Sequence, residues 1–463
     1  MTCTADDTIV FESGIPHAST DLRHHRWVSN DSIDLVTRAY LYGFPLVFNL
    51  QHVERYVTTG IGKNPAAPWN TFSHARSLAG PDDTFVTINN DTVYSMAQLD
   101  LGVGPIMLEV PEVGDRYHVL QFVSAWTDNF AYVGHRATGT RAGRFLLVPH
   151  DWKGDAPADA TVIRVPTRVA SIVGRWAVDG DDDLAAVHAL QDATTLTQLD
   201  ASAVPEGLPP VEPSRTEAMT FWRRYAAWSA AFPPAERDVP MQDGFAALAL
   251  TGNSPFDTDA LEAGYSAGKD ALDAVLASGG SNPIVNGWNL TYHSFDYNLD
   301  FFEVGSLDDP AFKITDPERR VIQRAGAALG GLWGNQSFEA AYTATYVDDR
   351  GERLTGEHTY ELRLDPTPPV GAFWSLTMYD VPDYYLVANP IQRYSIGDRT
   401  PGLVYGDDGS LVITISHTEP HDPVARANWL PAPEGAFRPV LRMYEPSPRV
   451  LDQTYVIPPI ART

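Results

Sequence analysis

Cys3 is the only cysteine in 463 residues, so no intrachain disulfide and no cysteine-built zinc site can form. Basic residues are scarce: 33 Lys and Arg stand against 59 Asp and Glu, a net charge of −26. Such a surface repels nucleic-acid phosphates and anionic lipid, and no Lys/Arg stripe overcomes it locally. Neither nucleic acid nor membrane is expected as a partner. No apolar run approaches the length of a membrane span, and the opening MTCTADDTIVFESG has neither a basic n-region nor an apolar h-region. The expected location is cytoplasmic. Also missing are the Gly-x-Ser-x-Gly elbow, the phosphate-binding Gly-rich loop ending in Lys-Ser/Thr, the dinucleotide fingerprint and the His-Glu-x-x-His helix. No organic cofactor is expected. Ser266-Ala267-Gly268-Lys269 matches Ser-x-x-Lys without its companion motifs and reads as helix surface.

What is abundant is aromatic and apolar. Hydrophobic residues make up 44% of the chain, with 11 Trp, 20 Tyr and 19 Phe, ample for packed cores. The length exceeds one ordinary core, so two domains or two sandwiches sharing an interface are expected. The clearest pattern starts at Val93, where Val93, Ser95, Ala97, Leu99 and Leu101 alternate with Tyr94, Met96, Gln98 and Asp100. That is the two-residue period of a strand. Residues 106–110 alternate too, and 117–125 follows a Pro-Glu-Val-Gly-Asp turn, which together predict a three-strand antiparallel meander. The last strand is expected to continue through Tyr132 to His135 and Arg136.

Polar clusters sit at the ends of these strands, where a rigid sheet can hold a site. Asn89-Asn90-Asp91 reads either as a turn or as part of a site, because Asn and Asp also cap turn backbones. Asp128, Tyr132 and Arg136 read equally as an ion pair bracing a loop or as functional groups. In the second half Tyr379, Arg393, Tyr394, Asn428, Trp429, Arg442 and Tyr444 form another polar-aromatic group, in which an arginine fork and an amide give directional recognition and rings give apolar walls. With Trp69, Asn90 and Gln121 they would line a pocket. The bland alternative is that Arg393 and Asn428 tie down loops. His417-Thr418-Glu419-Pro420-His421-Asp422 carries metal-type ligands in a Pro-constrained loop without a third distant ligand, and no metal is expected. Asp181-Asp182-Asp183 lacks the Gly and Glu of a calcium loop and suits a helix start.

Along the chain, 1–30 reads as a polar arm containing His17, His24 and His25. Asp31-Ser32-Ile33-Asp34 opens a helix that Pro45 should interrupt. Strands are expected at 144–149 and 161–165. Helices are expected over 181–199, 214–232, 257–277 and 316–332, with capping signals at Ser214/Glu217, Asp259/Glu262 and Asp316-Pro317. Met219, Trp222, Tyr225 and Ala226 form an aromatic stripe suited to core packing. The β pattern returns with a hairpin of 341–347 and 358–364, then 373–379, a pair of 403–405 with 411–416, and 436–444. The expected fold is mainly β with α: tandem antiparallel β-sandwiches, double jelly-roll-like, with a helical insert between them. The divisions are an arm 1–30, a β domain with leading helices 31–178, the helical insert 179–338 and a β domain 339–463.

NNDTVYSMAQLDL, RYHVLQF, FAYVGHR and TGTRAG, followed by FWSLTMYD, NPIQRYSIGD, DGSLVITI and NWLPAPEGAFRPVLRMY, resemble a two-part bacterial family: domain of unknown function 1254, then domain of unknown function 1214. The resemblance implies tandem β-sandwiches with a helical layer and no particular reaction. It marks Asn90, Asp91, Tyr94, Arg393, Tyr394, Asn428 and Trp429 as motif positions without roles. The functional expectation is an enzyme without organic cofactor, acting on a small, partly apolar molecule between the two sandwiches by hydrolysis, hydration/elimination or isomerisation. Asp91 or Asp128 would be acid or base, Tyr94 or Tyr132 a proton donor, and Arg136 or Arg393 the holder of developing negative charge. The alternative is a ligand- or carbohydrate-binding module or a self-assembling structural protein, and a homo-oligomer is compatible with either.

Overall fold

The computed structural model describes residues 32–83, 87–248, 258–277 and 282–463. The predicted arm, the helix-opening Asp31 and the helix start at Asp257 lie outside the described residues. The first element is a 27-residue helix, α1 (Ser32–Thr58), which runs straight through Pro45 instead of stopping there. The missing backbone hydrogen bond is outweighed by packing: Val36, Ala39, Leu46, Val47, Leu50 and Val53 are all buried in one cluster.

A short hairpin, β1 (Gly60–Ile61) and β2 (Asn64–Pro65), follows. Next come β3 (Phe72–His74), β4 (Thr92–Asp100), β5 (Ile106–Val110), β6 (His118–Ser124), β7 (Asn129–Gly134), α2 (His135–Thr138), β8 (Gly143–Pro149), β9 (Thr161–Val165), β10 (Val169–Ala177), α3 (Leu184–Ala193) and β11 (Thr195–Gln198). These strands make two sheets, ordered β3-β4-β10-β6-β7 and β11-β5-β8-β9. The predicted meander of β4, β5 and β6 is therefore wrong. Asp100 caps the turn after β4 by accepting from Gly102 N–H, which sends β5 into the other sheet, while β10 lies between β4 and β6. The last predicted strand also breaks: β6 and β7 are separate strands, and His135 and Arg136 begin α2.

The second half contains α4 (Glu217–Ala231), α5 (Val239–Asp243), α6 (Thr258–Ala277), β12 (Ile284–Val285), β13 (Trp288–Leu290), α7 (Pro317–Gly331), β14 (Ala340–Thr345), β15 (Tyr360–Leu364), β16 (Trp374–Asp380), β17 (Ser395–Gly397), β18 (Leu411–Ser416), α8 (Pro423–Ala427), β19 (Trp429–Pro431), β20 (Phe437–Tyr444), α9 (Pro448–Leu451) and β21 (Ala461–Arg462). Its sheets are β12-β13-β14-β20-β16-β17 and β19-β18-β15-β21. The predicted hairpin of 341–347 with 358–364 does not form, because β14 and β15 belong to different sheets. Nor do residues 403–405 pair with β18, whose neighbours are β15 and β19. The 179–338 stretch is not purely helical, since it supplies β11 to the first half and β12 and β13 to the second. Asp316 caps α7 from the expected place, accepting from Arg319 N–H at 2.7 Å. Thr216, not Ser214, caps α4, and Asp259 lies inside α6.

Apolar clusters hold these elements. Leu99, Phe122, Phe130 and Ile172 of the five-stranded sheet meet Leu108, Leu147 and Ile163 of its four-stranded neighbour. Trp374, Leu376 and Leu441 meet Tyr360, Leu362 and Ile413 in the second half. The helices α1, α4, α6 and α7 cover part of the other face of the five-stranded sheet, where Trp222 and Tyr225 of the predicted stripe are buried with Met96, Val123 and Val173. The rest of that face meets the six-stranded sheet through Tyr117, Val119, Tyr132, Ala340, Phe373 and Tyr444.

Candidate functional site

The interface between the two halves is polar as well as aromatic. On β20 and β16, Arg438, Val440, Arg442 and Tyr444 and then Ser375, Thr377 and Tyr379 fall at alternate positions and so share one face. That face brings several predicted residues together. Asp91 is buried and accepts from Ser375 Oγ at 2.5 Å and Ser395 Oγ at 3.4 Å. Arg442 is buried and donates to Thr377 Oγ1 at 2.9 Å and Tyr379 Oη at 2.7 Å, while Tyr379 donates to the Ile88 carbonyl at 2.6 Å. Asn89 reaches Tyr444 Oη at 2.6 Å. Tyr94 of β4 lies under the Arg175 guanidinium, and Gln121 holds Arg175 at 2.7 Å. Tyr394 packs beside Tyr379 in a small apolar cluster, and Asn90 donates to the Ala79 carbonyl.

At one end this interface opens into a cleft of about 330 Å³, lined by Asp115, Arg116, Tyr117, His135, Ala177 and Asp179 from one side and Gly371, Ala372, Phe373 and Arg399 from the other. His135 Nδ1 lies 2.7 Å from Glu445 Oε1. With a carboxylate as its acceptor Nδ1 carries the proton, which leaves Nε2 with its lone pair and no protein partner among the described residues. Gly134 sets the ring there: at φ 151° the chain turns off β7, and a Cβ would stand 2.3 Å from the His118 carbonyl oxygen. Tyr117 Oη donates to Glu339 Oε1 at 3.0 Å, and Arg136 Nε donates to the other oxygen, Oε2, at 2.5 Å. Burial pushes the Glu339 carboxyl up against the opposing pull of Arg136, and it pushes the Tyr117 phenol up as well. Tyr132 stands beside this group, linked to Gln336 at 3.2 Å. Arg399 lies flat on Phe373, 3.6 Å from the ring centroid, with Asp179 at 2.8 Å and the Asp91 carbonyl at 3.3 Å.

Other predicted residues lie elsewhere. Asp128 is buried against the helices, where Arg324 donates to it at 2.6 Å. Burial raises its carboxyl to about 6, Arg324 opposing and Asp238 and Asp300 adding to the rise. A space of about 10 Å³ lies among Tyr42, Asp238, Arg320, Val321 and Arg324, the size of one water. Arg393 donates to the carbonyls of Ala427 and Trp429, both at 2.9 Å. Asn428 exchanges two hydrogen bonds with the Val404 backbone, and Trp429 Nε1 donates to the Ser416 carbonyl. These are loop ties. Trp69 packs at the edge of the helix cluster.

Among the described residues no group of three or more His, Cys, Asp or Glu is arranged to hold a metal. In the 417–422 loop, Asp422 caps α8 and Glu419 pairs with Arg426. No described helix is long and apolar enough to cross a membrane. The residues that sequence reasoning missed are Glu445, Glu339, Tyr117, Phe373 and Arg399, while His135 was noticed only as a strand end. A His directly after Gly at the end of an apolar run was the one local signal available.

The architecture is thus a mainly β protein of several largely antiparallel sheets with helices packed on one of them. Residues 69–198 match the family described as protein of unknown function DUF1254, and residues 339–448 match protein of unknown function DUF1214. The chain belongs to this two-part family, in the order the sequence motifs indicated. The crystal structure of the VPA0106 protein from Vibrio parahaemolyticus is similar, with a TM-score of 0.69, 23% identity, and coverage of 94% of this chain and 100% of that one. A putative uncharacterized protein from Burkholderia cenocepacia aligns at a TM-score of 0.45 and 12% identity, over 95% of this chain and 91% of that one. No curated protein matches the chain.

Proposed function

We propose that the protein is an enzyme performing acid–base chemistry on a small, partly apolar molecule in the cleft between its two halves. The observation that carries this reading is the His135–Glu445 pair facing a cleft of about 330 Å³. Glu445 fixes the tautomer, so Nε2 can take a proton from a substrate carbon, a hydroxyl or a water. Tyr117, tied to Glu339, lies beside His135 on the same wall, and Arg136 donates to the other oxygen of Glu339. Phe373 offers an apolar face, and Arg399 on top of it offers charge to a developing anion. Hydrolysis, hydration/elimination and isomerisation all use such a set. In this assignment Asp91 supports Arg399 through its main-chain carbonyl, Arg136 acts through Glu339, and Asp128 and Arg393 brace the scaffold.

We read each pair of sheets as a β-sandwich of jelly-roll type and the helix-rich 179–338 stretch as an insert between them. This is supported by the apolar clusters that draw on both sheets of each half. A reducing compartment such as the cytoplasm suits a chain with one cysteine. The test is incubation with a panel of esters, amides, hydroxy acids and enolisable ketones, followed by mass spectrometry. Product formed by the wild type and not by His135→Ala supports the reading; no product from any class, or equal product from the variant, contradicts it.

A further inference from the structure

Arg175 is set apart from the other buried cations. Arg320 and Arg324 meet Asp238 and Asp128, each at 2.6 Å, and Arg442, though no described carboxylate oxygen comes within 4.0 Å of it either, lies in the field of Asp91. Arg175 is 6% exposed, yet among the described residues no carboxylate oxygen comes within 4.0 Å of it. Its hydrogen bonds all go to neutral acceptors: Nη1 to Gln121 Oε1 at 2.7 Å and Asn335 Oδ1 at 3.3 Å, and Nη2 to the Trp333 carbonyl at 2.8 Å. Its Nε–H has no acceptor among the described residues. A buried charge without a counter-charge is costly, and folds keep one mainly where something else uses it.

The surroundings add donors, not acceptors. Tyr94 faces Arg175 directly across β4 and β10, its ring centroid 5.5 Å from the guanidinium carbon. Tyr56 of α1 and Tyr342 of β14 complete a set of three half-buried phenols, where the helices, the five-stranded sheet and the six-stranded sheet meet. Among the described residues the hydroxyls of Tyr56 and Tyr94 have no partner, and Tyr342 Oη accepts from Asn335 Nδ2 at 3.0 Å, its own proton meeting no described acceptor. Trp333, whose ring lies 5.5 Å from Tyr56, adopts φ 63°, a left-handed conformation that bulky residues rarely hold and that clusters at ligand sites.

We infer that this junction is a binding site for a small organic monoanion, a carboxylate with an apolar or aromatic body, held by Arg175 and the hydroxyls of Tyr56, Tyr94 and Tyr342. One unmatched positive charge calls for one negative charge. Converging donors call for an acceptor-rich head group, and the Tyr56 and Trp333 rings suit an apolar body. The site does not rest on the acid–base reading of the cleft.

The experiment is titration of the full-length protein with phenylacetate, benzoate and hexanoate, beside phenylacetamide and inorganic phosphate, followed by tryptophan fluorescence and calorimetry. At least one carboxylate should bind saturably, with phenylacetamide and phosphate weaker by about tenfold or more. Tyr94→Phe and Tyr56→Phe should each weaken that carboxylate by about threefold with Tm unchanged, and Arg175→Gln should abolish its binding. If Arg175→Gln does not fold, the double Tyr variant decides. Absence of saturable carboxylate binding, equal binding of the amide, tighter binding of phosphate, or carboxylate binding unaffected in the double Tyr variant would overturn the inference.

Discussion

Inside each half the sheets meet through Leu, Ile, Val, Phe and Trp, whereas the five- and six-stranded sheets meet each other through Arg, Asp, Ser, Thr and Tyr joined by directional hydrogen bonds beside an aromatic cluster. The first kind of contact is worth roughly 25 cal/mol per Å² wherever it occurs and tolerates approximate shapes. The second gains little net stability and is expensive when incomplete. A chain with ample aromatic and aliphatic residues had no need to build its central interface from charges for stability's sake. In the proposed function that interface is the working region.

The largest effect that would sharpen this contrast is a core truncation. Trp374→Ala, deep in the second half, should cost about 3–5 kcal/mol, read as a lowered urea midpoint. Breaking one interface pair should come next. Arg136→Met leaves the Glu339 carboxylate buried without its cation and should cost about 3 kcal/mol, most of it recovered in the double variant Arg136→Met/Glu339→Gln; a double variant as unstable as the single would show that packing, not charge, matters there. Asn428→Ala, which removes both hydrogen bonds to Val404, should cost about 1–2 kcal/mol and leave turnover unchanged, as a loop tie should.

The smallest effect is a slope. The folded pKa of Asp128, about 6, lies above the ordinary value of about 3.9, so the folded state binds this proton more tightly than the unfolded one. Its contribution is most favourable at low pH and is lost as pH rises from about 4 through about 6. Asp128→Asn should remove that part of the decline, and an unchanged stability–pH curve would show that Arg324 fully compensates the charge.

Local pattern carried much of the strand inventory. The expected limits 106–110, 161–165 and 411–416 coincide with β5, β9 and β18, because alternation and flanking turns are properties of adjacent residues. β10 escaped notice although it is the middle strand of its sheet, because all nine of its residues are buried and burial on both faces erases the two-residue period. Partner choice was equally hidden: β4 and β5 look like consecutive meander strands until a capped turn sends them to different sheets. The candidate site was legible only in part. Tyr94, Gln121, Tyr379, Arg442 and Asp91 do converge on the interface, since polar residues at alternate positions of an apolar strand must face something polar. His135 and Glu445, 310 residues apart, carry no local sign of each other, and Arg175 sits in the strand that was missed.

The most direct measurement is turnover by His135→Ala and Glu445→Gln beside the wild type, on the compound that the panel selects, with Tm taken on the same samples. The account predicts a loss of about 10²–10⁴ for His135→Ala, a smaller loss for Glu445→Gln, and Tm values near that of the wild type. Wild-type turnover by His135→Ala, or a loss that merely follows a fall in Tm, would contradict it.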